Sequence, residues 1–313
     1  FETVDDKEGY EKIDNDFSIN ILLAPNDLGL FAQYDMVKAY ELAAYDGSPD
    51  NGLQGYLIRE QEQLGMPVPR EAARDDPWPY KRYDEDLPRR PLAAELPRTT
   101  ASALSVLAGT ARPPEAEVDV DQLGRLLFLS AGVVRIATWE HGHGGRALFR
   151  ASGAAGGRYP LEVYIAVPEG CSVPAGVHWY DPEQHALLEI GPPPSGRWVA
   201  IVVTGVPWRT GWKYRERGYR HIFWDGGAML AQLIALASSA GLEPSLFSRF
   251  PDATVESLVG ADAVHEFAVA VVSLGAADGT PAPSGAAVSG AVDNAPLEFP
   301  LVTAAQHAGR LEA

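Results

Sequence analysis

The sequence predicts an α+β domain, layered rather than built from repeated strand–helix–strand units. Two observations carry that expectation. Four apolar, strand-like runs follow one another at short intervals: "LEVYIAV" (161–167), "GVHWYD" (176–181), "ALLEIG" (186–191) and "WVAIVVTGV" (198–206). Around this meander stand long apolar stretches of helical character at 119–136 and 222–242. With 46% apolar residues in 313, the chain has material for a substantial core.

Taken in order, residues 1–20 hold seven carboxylates against two lysines and read as a solvated tail. Residues 27–46 carry apolar side chains at helical spacing, with Asp27 placed to cap them. The stretch "DDPWPYKRYDEDLPRRPL" (75–92) has too many prolines for a helix or a sheet interior. It reads as an extended arm whose Trp78, Tyr80 and Tyr83 anchor on another surface, and we expect residues 77–92 to contribute to an intersubunit contact. "DVDQLGRLLFLSAGVVRI" (119–136) predicts one helix, and the segment 222–242 a second, closed by Gly241. "PSLFSRF" and "EFAVAVVSLG" predict two further strands separated by the short helix "ATVESLVG". Residues 276–296 form a low-complexity linker, and residues 297–313 are either a docking tail or the first helix of a further region. The resulting division is 1–95 (acidic tail, helix and proline-rich arm), 96–275 (the folded domain) and 276–313 (Ala/Gly/Pro linker and tail).

Composition narrows the partners. A formal charge of −17 argues against nucleic acid and anionic membrane surfaces, both of which require basic faces. The single cysteine, Cys171, excludes an internal disulfide framework and fits a reducing compartment. No apolar run approaches the roughly 20 residues of a membrane span, and the start lacks a secretory signal pattern. A cytoplasmic protein is the expectation.

Against that acidic background one stretch stands out. From Arg209 to Arg220 the chain carries five cationic side chains and one carboxylate, Glu216, between an apolar strand and an apolar helix. Within it, Lys213 followed by Tyr214 can present two titratable groups to one pocket, and either could act as a general base if burial or neighbouring cations lowered its pKa. Arg215, Arg217 and Arg220 would supply those cations and could hold an anion such as phosphate. The plainer alternative is a solvated basic turn paired with the acidic surface. A second stretch, "RASGAAGGRYPLEVY" (150–164), places small, flexible residues before a strand, where backbone N–H groups can approach a planar ligand. It lacks the Gly-Lys-Ser/Thr ending of a P-loop, and its glycines do not open a helix as a dinucleotide fingerprint would. In "WEHGHGGR" (139–146), His141 and His143 could chelate a metal, but no nearby Cys or His completes a site, so no metal is expected.

In their order these segments resemble the SagB-type azoline dehydrogenases, the thiazole/oxazole-forming branch of the FMN-dependent nitroreductase superfamily. The resemblance runs over roughly 77–275, through "PWPYKRY", "LPRRPL", "LGRLLFLSAGV", "AAGGRYPLEVYIAV", "GVHWYDPEQHALLEIG", "WKYRERGYRHIFWDGGAMLAQ" and "VGADAVHEFAVAVVSLG". It implies a nitroreductase-like FMN-binding fold with a central, mostly antiparallel sheet flanked by helices and preceded by an extended or helical arm. It further implies FMN as cofactor, a homodimer with flavin at the interface, a modified peptide as substrate, and a cyclodehydratase or synthetase complex as partner. Carried over residue by residue, it makes Lys213 and Tyr214 catalytic. It places Arg150, Ser152, Ala155, Gly156, Gly157, Arg158 and Arg217 around the cofactor.

Two departures accompany it. Where members carry Pro-Ser-Ala-Gly, this chain has Gly153, Ala154, Ala155 and Gly156, without the serine hydroxyl. The arginine-rich phosphate motif is reduced to Arg112 in "LAGTARPP", which makes Arg150 the first choice for the flavin phosphate. Two other readings stand beside the dehydrogenase: an NAD(P)H-dependent flavin nitro or quinone reductase, and a flavin-less scaffold subunit that binds a peptide or synthetase partner.

Overall fold

The structure is a computed structural model that describes residues 77–99, 101–138 and 146–312. The acidic tail, the helix expected at 27–46 and the His141/His143 pair lie outside the described residues.

The strands are β1 (Arg89–Pro91), β2 (Val133–Thr138), β3 (Arg146–Arg150), β4 (Leu161–Val167), β5 (Gly176–Asp181), β6 (Ala186–Gly191), β7 (Ala200–Gly205), β8 (Pro244–Phe247) and β9 (Phe267–Leu274). The α-helices are α1 (Ala103–Leu107), α2 (Val120–Ala131), α3 (Pro207–Tyr214), α4 (Gly218–Ser239), α5 (Asp252–Val259) and α6 (Pro300–Gly309). Seven strands form one antiparallel sheet in the order β1-β6-β5-β4-β7-β9-β8, while β2 and β3 pair as a separate hairpin. The expected α+β class and the antiparallel central sheet are both present.

Both faces of the sheet are covered, which explains why its central strands read as continuous apolar runs. Along β4, Leu161, Val163, Ile165 and Val167 point into the core shared with α2 and α4; Tyr164 and Ala166 point to the opposite core, shared with α5. On β7, Ile201 and Val203 take the first face and Ala200 and Val202 the second. This is the two-residue alternation of a strand buried on both sides. The run Pro207–Ser239 has the length and composition of a bilayer span, but Ile222, Met229, Leu233 and Ala237 pack it into the sheet core as a core helix.

Two expectations about elements are corrected. The helix expected over 119–136 ends at Ala131. Asp119 and Gln122 close its N-terminus in a capping box, and Gly132 leaves the helix with an extended backbone before Val133–Thr138 turn into β2. A Cβ at Gly132 would stand 2.8 Å from both the Phe128 carbonyl oxygen and the Tyr180 hydroxyl, so the chain passes there only as glycine. The basic stretch, read as the connection between a strand and a helix beginning at 222, is itself largely helical: Pro207 opens α3 at its first turn, a 3-10 turn covers Arg215–Arg217, and α4 starts at Gly218.

The aromatics of the arm make contacts within the chain. Tyr83 lies 5.1 Å and Tyr80 6.5 Å, ring to ring, from Trp179 of β5, and Lys81 is buried with its ammonium 2.6 Å from Glu266 and 3.0 Å from Tyr164 Oη. Trp78, Tyr80 and Tyr83 stay partly exposed. Residues 276–296 run back over the sheet. Val288 N–H donates to Ile190 (2.6 Å), Ala291 exchanges two backbone bonds with Arg82, and Asp293 accepts from the Trp78 amide and from Trp208 Nε1. Beyond them, Phe299 stacks on Trp208 and α6 docks through Gln306, which accepts from Tyr219 Oη, with Arg310 bonded to Glu256.

Candidate active site

The glycine-rich loop and the Lys213–Tyr214 pair, 57 residues apart in sequence (156 to 213), meet. Gly156 is left-handed, with φ 59° and ψ 18°. A Cβ built on it would lie 2.5 Å from Tyr214 Oη and 2.9 Å from Lys213 Nζ. Both functional atoms therefore rest against the bare Cα of that glycine. Local sequence makes this reachable. The loop turns tightly through Ala155–Gly157 with two successive left-handed glycines, a conformation available at little cost only without a Cβ. Lys213 and Tyr214 stand in the last turn of α3, whose first turn is fixed by Pro207.

The electrostatics separate the pair. Burial depresses the Lys213 ammonium, and the Arg158 cation pushes it further the same way. Tyr214 moves upward: burial raises its phenol, Arg158 and Arg217 oppose, and Asp225 adds to the rise. The two shifts run in opposite directions, easing deprotonation of the lysine and opposing that of the tyrosine. Around them, Arg158 lies over the Trp212 ring at 4.8 Å, and the Tyr214 ring meets His221 edge-on at 4.2 Å. His221 is held toward its neutral form by burial and by Arg217.

The other predicted residues divide. Arg158 acts on both Lys213 and Tyr214 through its charge, Arg217 on Tyr214 alone, and Gly157 completes the turn. Arg150 is committed elsewhere: its guanidinium donates to the Pro79 (2.7 Å) and Leu161 (3.0 Å) carbonyls, buried enough that its pKa falls to about 10. Ser152 is buried and lines, with Arg150, Ala154, Tyr159 and Asp225, a cavity of only about 10 Å³ under the loop. Ala155 offers its N–H to Asp225 and not to the open side. Arg112 donates to carbonyls of its own turn, Gly109 and Ala111.

Sequence reasoning missed Asp225 and His221. Asp225 is the one acidic residue in α4 and sits on its buried face; a lone carboxylate in an apolar helix is the signal that could have found it. A cavity of about 190 Å³ lies apart from this group, lined by residues of 260–266 and 289–296.

The residues fit an anionic, planar group on one specific observation: buried polar nitrogens without partners crowd into this stretch. Among the described residues, Trp212 Nε1, both terminal nitrogens of Arg215 and His221 Nδ1 lack a hydrogen-bond partner, and these four atoms fall between 211 and 221. Buried donors are rarely left so. Arg215 adds a left-handed backbone (φ 51°, ψ −142°) that a non-glycine residue holds only under strain. Together with the glycine cradle at 156 and the surplus of cations, these unpaired nitrogens have the chemistry to hold an anionic group such as a phosphate.

No family model matches the sequence. A protein of Methanocaldococcus jannaschii provisionally named a nitroreductase is 26% identical over 153 residues, covering 44% of this chain and 72% of that one. A crystal structure from Anabaena variabilis, also provisionally named a nitroreductase, superposes with a TM-score of 0.55 at 23% identity, over 82% of this chain and 55% of its own. A chain from the E. coli microcin synthetase McbBCD complex with truncated pro-MccB17 bound reaches a TM-score of 0.43 at 15% identity, over 77% and 97% of the two chains. The fold is nitroreductase-like: an antiparallel sheet flanked by helices.

Proposed function

We propose, from this nitroreductase-like fold, that the chain is an FMN-dependent oxidoreductase that oxidises azoline rings (thiazoline or oxazoline) of a peptide or peptide-derived product to azoles. The observation that carries the reading is the meeting of Lys213 Nζ and Tyr214 Oη on the bare Cα of Gly156. Bound FMN would supply the two-electron acceptor that takes hydride from the ring. Lys213, biased toward neutrality, takes the proton from the adjacent ring carbon; Tyr214, kept protonated, donates a hydrogen bond to the ring heteroatom or orients the substrate. Arg158 and Arg217 hold the cofactor phosphate in this reading, since Arg150 is spent on two carbonyls. The resemblance to azole-forming enzymes supports a homodimer and a synthetase complex as partner.

The test starts with the visible absorbance of the purified chain, alone and after incubation with FMN. A preparation that stays colourless in both cases would overturn the cofactor and favour a scaffold. With FMN bound, Lys213→Ala and Tyr214→Phe are each expected to slow azoline oxidation by roughly 10²–10⁴-fold, the usual size of a general acid–base contribution. The rate should climb with pH along a limb whose midpoint lies below the about 10.4 of an ordinary lysine, because the base is the deprotonated form and burial has depressed its pKa. Wild-type rates in both variants would sink the assignment. Bleaching by NAD(P)H without azoline turnover would make the chain a reductase instead.

A further inference from the structure

The loop that carries Gly156 is held from beneath by a residue on the opposite side of the site. The Ala155 N–H donates to both oxygens of Asp225, at 3.0 and 3.1 Å, across 70 residues of sequence. Asp225 is 7% exposed and lies on the packed face of α4 with Ile222, Gly226 and Met229. Burying a carboxylate costs several kcal/mol unless a cation or donors compensate it, and what this carboxylate receives is the loop amide.

We propose that Asp225 is a positioning residue: it fixes the Ala155–Gly157 turn from below, so that Gly156 meets Lys213 and Tyr214 in the geometry the site needs. The inference rests on the reading of the Gly156, Lys213 and Tyr214 cluster as the site of chemistry. The surroundings support a purpose-built contact. Arg150, the nearest cation on the β3 side, lines the same small cavity but gives its guanidinium to the Pro79 and Leu161 carbonyls. From α3, Tyr214, raised chiefly by burial and opposed by Arg158, feels the Asp225 charge as a further upward push. From the loop, Ser152 and Tyr159 complete the cavity, and α2 contributes only Ala131. On α4 itself, His221 stands one turn earlier and is biased toward neutrality. Asp225 thus serves two members of the site at once, the loop through a charge-assisted bond and Tyr214 through its field. A catalytic contact displaced by even an ångström can lose about 10²-fold in rate, which gives a clamp of this kind its value.

Burial raises the Asp225 carboxyl to about 6, with the Ala155 amide opposing the rise. Its ionisation is therefore readable at the amide it holds. In NMR spectra of the ligand-free full chain, the Ala155 amide should shift with a midpoint near pH 6. That titration should vanish in Asp225→Asn, which keeps an acceptor oxygen but no charge. In Asp225→Ala, Ala155 hydrogen exchange should quicken and FMN affinity should fall roughly 5- to 100-fold, the cost of an unpaired buried amide. Asp225→Asn should recover most of that affinity. An amide that does not titrate in the wild type overturns the proposal even if Asp225→Ala fails to fold. So does unchanged protection and affinity in a folded Asp225→Ala. Should the wild type bind no FMN, the cofactor reading falls, and the amide titration of the ligand-free chain still decides whether the clamp exists.

Discussion

At Gly156 three separate constraints fall on one Cα: a left-handed backbone, Tyr214 Oη on one side and Lys213 Nζ on another. Alanine there must clash with two groups at once and also hold φ 59°, which costs an L-residue of this kind of order 1 kcal/mol or more. Lysine and tyrosine ends can swing away, so the fold should survive while the site opens. Gly156→Ala is therefore expected to lower thermal stability by only about 1–2 kcal/mol but to abolish FMN binding or azoline turnover. Gly153→Ala, where a Cβ meets nothing within 4 Å, is the matching control and should leave both intact. Equal behaviour of the two variants would show that the contact at 156 has no functional weight.

At the level of elements, the junction between α2 and β2 shows how one residue can hide a boundary. Residues 119–136 are apolar enough to continue as helix, yet the chain turns at Gly132, whose amide bonds both Leu127 and Phe128 carbonyls. Gly132→Ala would push a methyl to 2.8 Å from Phe128 O and Tyr180 Oη. It should cost about 1–3 kcal/mol, as overpacking does, and a denaturant midpoint equal to wild type would refute that steric account. The same junction marks what the sequence could reveal. Strands β4, β5, β6, β7 and β9 and helix α5 were legible because their apolar pattern is dictated by burial on both sheet faces. The hairpin β2–β3 was not, because Val134 and Ile136 are exposed and lend no alternation to read. The helical state of 207–214 was hidden because Pro207, Gly211 and the buried polar Arg209 and Thr210 interrupt any apolar periodicity. Lys213, Tyr214 and Gly156 were singled out by local sequence together with the family resemblance, and the fold brings their atoms together. The commitments of Arg150 to Pro79 and of Asp225 to Ala155 could not be found that way, since each depends on a partner about 70 residues distant.

Across the whole molecule, one buried ionic network joins the arm, the sheet and the site. Glu162 on β4 accepts from Arg209 of α3, from Trp179 Nε1 (2.7 Å) and from the Lys81 amide (2.8 Å). Arg209 also donates to the carbonyls of Trp78 and of Tyr159, the latter just beyond the Gly156 turn. On the same sheet face, Glu266 binds Lys81, Tyr164 Oη and Thr204 Oγ1. Arg209 stands one helical turn before Lys213, so this network ties the helix that carries Lys213 to Tyr159, just beyond the Gly156 loop. Burial by itself would raise the Glu162 carboxyl, but Arg209 and Arg150 outweigh it and hold the group below the ordinary glutamate range. A carboxylate so depressed contributes stability that is present above its unfolded pKa of about 4.3 and is lost as pH falls through its lower folded value. Glu162→Gln should therefore cost about 3–5 kcal/mol at neutral pH, because Arg209 is left buried without its counter-charge. The loss should shrink as wild-type Glu162 itself becomes protonated in acid. Denaturant unfolding at about pH 7 and again below about pH 4 measures both ends. Turnover at neutral pH should drop in the same variant although its substitution touches no atom of the Gly156 cluster. If stability falls at neutral pH and the kinetics do not move, the network holds the fold together without setting the site.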